Sequence, residues 1–103
     1  MTTYRYATRL NSFVARPELA WPGRTGKPTT WNLIERAASV DGLDAVDINY
    51  PQQAEGTSPA EMRTRLAGLG LTLNGYAMRY NGDPDYLAGA FTNPDPTVRS
   101  KAI

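Results

Sequence analysis

The sequence contains no cysteine and no histidine among its 103 residues. The absence of cysteine excludes disulfides and thiolate chemistry, and it leaves the cytoplasm as the default expectation for the compartment. The absence of histidine removes the commonest general base and the commonest metal ligand. Because glutamate and aspartate also form no cluster, we expect the chain by itself to bind no divalent metal tightly.

An excess of charge of one sign is also absent. Eleven Lys and Arg residues against ten Asp and Glu residues give a net charge of +1, and the arginines are scattered along the chain. A nucleic-acid-binding protein usually carries a basic stripe, so no nucleic-acid partner is expected. No apolar run approaches the about 20 residues of a membrane span. The start, Met1-Thr2-Thr3, has no hydrophobic signal region, so we expect a cytoplasmic protein without a membrane partner.

What is present is a strand–loop–helix pattern that occurs three times in at most one domain. The predicted strands are at about 4–10, 43–50 and 71–78, and the predicted helices are at about 30–40, 59–69 and 96–103. Ser58-Pro59-Ala60-Glu61 predicts a capped helix start, and Asp95-Pro96 predicts another. The two completed strand–helix–strand crossovers indicate parallel strands.

Two architectures commonly use this repeat, an open doubly wound sheet and a closed barrel of eight units. The open sheet usually has a glycine-rich phosphate turn after its first strand, where this chain has Asn11-Ser12-Phe13. A flavodoxin-like sheet of order 2-1-3 is a further possibility. The alternation of polar and apolar residues along the strands favours the barrel, because one face of the strands is polar near their carboxyl ends. That predicted inner face carries Arg5, Ala7, Arg9, Asp47, Asn49, Asn74, Tyr76 and Met78.

Two segments resemble the xylose-isomerase-like barrels, the sugar isomerase/epimerase superfamily. The first is Gly89-Ala90-Phe91-Thr92-Asn93-Pro94-Asp95 followed by Val98-Arg99, which is similar to the entry into the third helix of these barrels. The second is Gly42-Leu43-Asp44-Ala45-Val46-Asp47-Ile48, which resembles their second strand. Since eight units take roughly 250 residues, the resemblance implies the first three βα units of a (β/α)8 TIM barrel with a truncated third helix.

The resemblance also implies a chemistry. The family moves a proton or hydride between adjacent carbons of a sugar, with a divalent cation (Mn, Mg, Co or Zn) polarising the oxygens. Its metal ligands come from later strands, and the place of the ring-opening histidine of true xylose isomerases is Asn49 here. We therefore expect a non-catalytic part of such an enzyme, whose partners are the remainder of the barrel and a sugar-like molecule. The alternative is a short βαβαβ binding module that associates with a second copy of itself.

No catalytic or metal-binding residue is assigned, and the candidates for substrate binding are Asn49, Asp47, Arg9, Phe13, Trp21, Tyr76 and Arg79. Asp47 is expected to pair with Arg9 as a structural bridge, with a substrate hydroxyl as its alternative partner. Arg79 is either a surface residue or a ligand for an anionic group. The aromatic faces of Phe13 and Trp21 would suit the C–H surface of a sugar.

Overall fold

The computed structural model describes residues 3–103 and has a mixed α/β fold, so the predicted class with parallel strands is confirmed. Three strands form one parallel sheet in the order β1-β2-β3, which excludes the flavodoxin-like order. The strands are β1 (Ala7–Arg9), β2 (Ala45–Tyr50) and β3 (Thr72–Met78). The helices are α1 (Pro17–Ala20), α2 (Thr30–Ala38), α3 (Pro59–Gly68) and α4 (Pro96–Ala102), with 3-10 turns at Leu10–Phe13 and Pro84–Tyr86. Within residues 3–103, no helix has the length and apolar character needed to cross a membrane.

The three longer helices begin at short polar side chains that accept otherwise unpaired backbone N–H groups. Thr29 and Asn32 form a reciprocal capping box at the start of α2, with distances of 3.1 and 3.0 Å. The Ser58 hydroxyl accepts from the Glu61 N–H at 3.1 Å, and Asp95 caps α4 in a similar way. The caps at Ser58 and Asp95 are those that the sequence predicts.

The hydrophobic core lies on one face of the sheet. Val46 and Ile48 of β2 are fully buried there, under α2 and α3. The other members of the core are Leu10, Leu33, Ile34, Ala37, Met62, Leu66 and Leu71. Because successive strand residues point to opposite faces, Asp47 and Asn49 lie on the second face, which we call the open face.

The pairing of β2 with β3 contains an irregularity at the middle of the sheet. Val46 pairs with Leu73, but the next residue, Asp47, pairs with Gly75. Asn74 is therefore an extra residue on β3, as in a β-bulge, where two residues of one strand oppose one residue of its partner.

The bulge changes the face on which the second half of β3 presents its side chains. Tyr76 pairs with Ile48 and Met78 pairs with Tyr50, so both lie on the helix-covered side. The Tyr76 ring makes an edge contact with the Tyr50 ring at 5.8 Å. The prediction that Tyr76 and Met78 share the inner face with Asn74 is wrong, because a one-residue shift in register moves every later side chain to the opposite face.

The segment before α4, from Gly89 to Asp95, is a turn held by its own hydrogen bonds. Asn93 is 5% exposed; its Nδ2 donates to the Gly89 carbonyl at 2.6 Å, and its Oδ1 accepts from the Asp95 N–H at 2.9 Å. Gly89 has a φ of 116°, and a Cβ placed there would lie 3.0 Å from Thr92 Oγ1. The turn therefore requires glycine at position 89.

We expect Gly89→Ala to destabilise the protein by more than about 1 kcal/mol, because alanine disfavours the backbone conformation of this residue. Gly68→Ala is the matched control, since Gly68 is helical and an added Cβ would meet no atom within 4 Å. It should stabilise by about 0.4 to 1 kcal/mol. Denaturant unfolding measures both changes, and equal effects of the two substitutions would contradict the prediction.

An ionic cluster ties α4 to the preceding loop. The Lys101 ammonium donates to Asp85 at 2.6 Å and to Asp83 at 3.0 Å. The hydroxyl of Tyr80 donates to the Ala102 carbonyl at 2.7 Å. The Asp85 backbone N–H, followed by Lys101, lowers the pKa of Asp83 below its ordinary value of 3.8. Hydrogen bonds to Asp85 and Asp83 raise the pKa of Lys101 above its ordinary value of 10.5.

We expect the contact between α4 and this loop to weaken at both extremes of pH. The contribution of Asp83 is present above pH 3.8 and is lost as the pH falls through its lowered pKa. The contribution of Lys101 is present below pH 10.5 and is lost only as the pH rises through its raised pKa. Amide chemical shifts of α4 followed by NMR should report both transitions. In the last turn of α4, away from the Asp95 cap, the acid response should shrink in Lys101→Gln and stay the same in Lys27→Gln.

Candidate functional site

Polar side chains from all three strands meet at the carboxyl edge of the sheet, on the open face. Arg9 is the last residue of β1, Asn49 lies one residue before the end of β2, and Arg79 directly follows β3. Arg9 Nη2 donates to Asn49 Oδ1 at 2.9 Å, and Arg79 Nε donates to the same oxygen at 3.4 Å. Because parallel strands end at one edge, residues far apart in the sequence form one site.

The backbone beside this site is held by two further amide side chains. The Asn49 N–H donates to Gln53 Oε1 at 2.8 Å, and Gln53 Nε2 donates to Asn11 Oδ1 at 2.9 Å. Asn11 belongs to the 3-10 turn after β1 and Gln53 to the loop after β2. The chain of bonds therefore connects the loops that follow two neighbouring strands and fixes the position of Asn49.

Asp47 lies deeper on the open face and accepts a hydrogen bond from Asn74 Nδ2 at 2.8 Å. The register places Arg9 directly beside Asp47, but the Arg9 guanidinium bonds to Asn49 instead. The expected Arg9–Asp47 bridge is therefore wrong. The bulge supplies the reason, because it places the amide of Asn74 next to the carboxylate.

The three aromatic candidates lie away from this cluster. Phe13 and Trp21 are half-buried and pack against the hydrophobic core. Trp21 also lines a shallow cavity of about 200 Å³ with Arg24 and Lys27, in the segment before α2. Tyr76 is on the helix-covered side. The structure therefore brings together Arg9, Asp47, Asn49 and Arg79 of the predicted site residues.

Three residues of this site, Asn74, Gln53 and Asn11, are not among the predicted substrate-binding residues, although the sequence predicts Asn74 on the inner face. The sequence carries a weak signal for Gln53, which follows Asn49 by four residues in a polar loop. It carries none for the bulge at Asn74, because a strand with one extra residue has no distinctive local pattern.

The side chains at the open face do not provide the ligand atoms that a divalent cation requires. Within residues 3–103, no three acidic side chains gather into a ligand set. The cluster consists of two guanidinium groups, amides and the single carboxylate of Asp47, whose Oδ1 already accepts from Asn74. A hard cation requires several oxygen ligands and is repelled by arginine. The side chains of the open face are therefore suited to binding a ligand and not to holding a metal ion.

The arrangement is suited to holding a polar molecule and lacks a nucleophile–base pair. Arginine and amide N–H groups donate, and the Asp47 carboxylate accepts, as hydroxyl groups of a sugar would require.

Comparison with protein-family models and with curated proteins found no match for this chain.

We expect Asn74→Ala to lower the stability by about 1 kcal/mol, because Asp47 loses its hydrogen-bond donor in a half-buried position. Asn74→Asp should cost more at neutral pH, since it places a second carboxylate against Asp47. Acidification should reduce the excess cost of Asn74→Asp. Denaturant unfolding of both variants at neutral and acidic pH tests this, and an excess cost that does not change with pH would contradict it.

Proposed function

We propose that this chain forms the first three βα units of a (β/α)8 barrel of the sugar isomerase/epimerase class. In this proposal it supplies one wall of the substrate pocket and does not catalyse the reaction alone. The observation that carries the proposal is the polar open face, where Arg9, Asn49 and Arg79 meet at the carboxyl ends of three parallel strands. Ligands of parallel α/β proteins bind at that edge.

The residues on the two faces of the sheet favour a barrel and not a doubly wound sheet. Strand order 1-2-3 with α2 and α3 on one face occurs in both architectures. A doubly wound sheet, however, buries its second face under further helices and needs apolar side chains there. Here that face carries Arg9, Asp47, Asn49 and Asn74, which suits the polar mouth of a barrel.

The proposal divides the chemistry between this chain and the strands that would follow it. The residues of the open face bind and orient a polyhydroxylated molecule through Asp47, Asn49 and the two arginines. The divalent cation and the groups that transfer the proton or hydride would come from later strands, as the resemblance implies. The sequence resemblance of the segment before α4 supports this division, because the turn in that segment would connect the third strand of the barrel to its third helix.

A second candidate is a stand-alone βαβαβ module that binds a small molecule and self-associates. Its support is the pair of sheet edges, β1 and β3, whose outer backbone groups could pair with another copy. The helix-covered side also leaves three large hydrophobic side chains 39 to 44% exposed, those of Tyr50, Tyr76 and Met78.

The test compares residues 1–103 with the polypeptide encoded by the complete reading frame. We expect the frame to continue into βα units with Glu, Asp and His at strand ends. Its product, with Mn²⁺, Mg²⁺, Co²⁺ or Zn²⁺ added, should convert at least one aldose, ketose or inositol-type substrate into an isomer or epimer detected by NMR. Residues 1–103 alone should be inactive and should unfold broadly or associate.

Two results would contradict this proposal. A stop codon directly after Ile103, together with a discrete oligomer that unfolds in one sharp transition, would favour the binding module. A complete product that folds but converts none of a broad panel of sugars would overturn the isomerase/epimerase proposal.

A further inference from the structure

Two arginines share one uncharged acceptor at the carboxyl edge of the sheet. Arg9 Nη2 and Arg79 Nε both donate to Asn49 Oδ1, at 2.9 and 3.4 Å. Each guanidinium has five N–H donors, so most of their donors are free for another partner. Since an amide oxygen carries no net charge, Asn49 compensates neither positive charge.

The nearby carboxylates form no ion pair with either arginine. Asp47 accepts from Asn74, and Glu55 lines a groove with Arg79 without forming an ion pair with it. Within residues 3–103, neither Arg9 nor Arg79 takes part in a salt bridge. Two like charges held this close repel each other, and an anion between them would relieve the repulsion.

The site is also accessible, and its neighbours on β3 are small. Arg9 is exposed and Arg79 is half-buried, so their remaining donors can be reached from the open face. On β3, Gly75 pairs with Asp47 and Ala77 pairs with Asn49. Because these residues are small, β3 places no bulky side chain beside Asp47, an acceptor that could bind a hydroxyl group.

We propose that Arg9 and Arg79 form a subsite for the oxyanion group of an acidic sugar, either the carboxylate of a sugar acid or the phosphate of a sugar phosphate. Asn49 holds the two guanidinium groups in position, and the hydrogen bond that its N–H donates to Gln53 fixes Asn49 in turn. Arginine suits this task, because its planar fork can donate two parallel hydrogen bonds to a carboxylate or phosphate. This inference rests on the proposed function and adds the charge of the substrate to it.

The test is calorimetric titration of the product of the complete reading frame with four probes: D-glucuronate, D-glucose 6-phosphate, neutral D-glucose and inorganic phosphate. We expect one acidic sugar to bind at least about tenfold more tightly than glucose, with an affinity that falls as salt is added. Arg79→Gln and Arg9→Gln should each weaken its binding by roughly tenfold to a hundredfold. Each substitution should weaken the binding of glucose by less than this, because glucose has no anionic group to pair with the guanidinium groups.

The matched control is Arg63→Gln, which removes the same charge from an exposed position on α3, on the other side of the sheet. It should leave binding unchanged. Arg79→Lys keeps the charge and loses the planar fork, so it should recover only part of the affinity. If Arg9→Gln fails to fold, as judged by circular dichroism, Arg79→Gln and the salt dependence of the unsubstituted protein still decide the question.

The outcomes separate this inference from the proposed function. Conversion of neutral sugars without any preference for acidic ones would overturn the subsite and leave the isomerase/epimerase proposal standing. Arginine-dependent binding of an acidic sugar by a protein that converts no sugar would support the subsite and overturn the proposed activity. Inorganic phosphate bound as tightly as the sugar phosphate, and weakened by Arg63→Gln as much as by Arg79→Gln, would indicate an adventitious ion only and would overturn the subsite.

Discussion

Val46 and Ile48 are fully buried under two helices, while Asp47 and Asn49 lie between and beside them on the opposite face of the same strand. A strand that alternates in this way can bury only one of its faces in an apolar layer. The remaining face must stay polar, and in the protein it carries the groups that we assign to ligand binding. The division between core and site therefore depends on the alternation along β2.

The bulge at Asn74 determines which side chains of β3 lie on each of these two faces. It turns Tyr76 and Met78 toward the helix-covered side and leaves Gly75 and Ala77 opposite Asp47 and Asn49. The amide of Asn74 then satisfies the Asp47 carboxylate, which a half-buried charge requires. Arg9 is thereby left to bond with Asn49, and the pair of arginines at the strand ends results from this change of partners.

The turn from Gly89 to Asp95 has a structural task. Its hydrogen bonds run within the segment, through the buried amide of Asn93, and it delivers the chain to the cap of α4. The resemblance to the isomerase/epimerase barrels that we propose for this turn would therefore concern architecture. The chemistry of the open face supports the same proposal independently, from residues that belong to other segments.

The sequence by itself determined the helix starts at Ser58 and Asp95, the parallel α/β class and the polar character of the open face on β1 and β2. Those properties follow from local patterns, because caps and alternation involve residues close together in the chain. The tertiary structure alone decided the bulge, the Asn74 partner of Asp47 and the convergence of Arg9 and Arg79 on Asn49. These features join residues 27 to 40 positions apart. Their outcome depends on how one strand is placed against the next, which no single segment specifies.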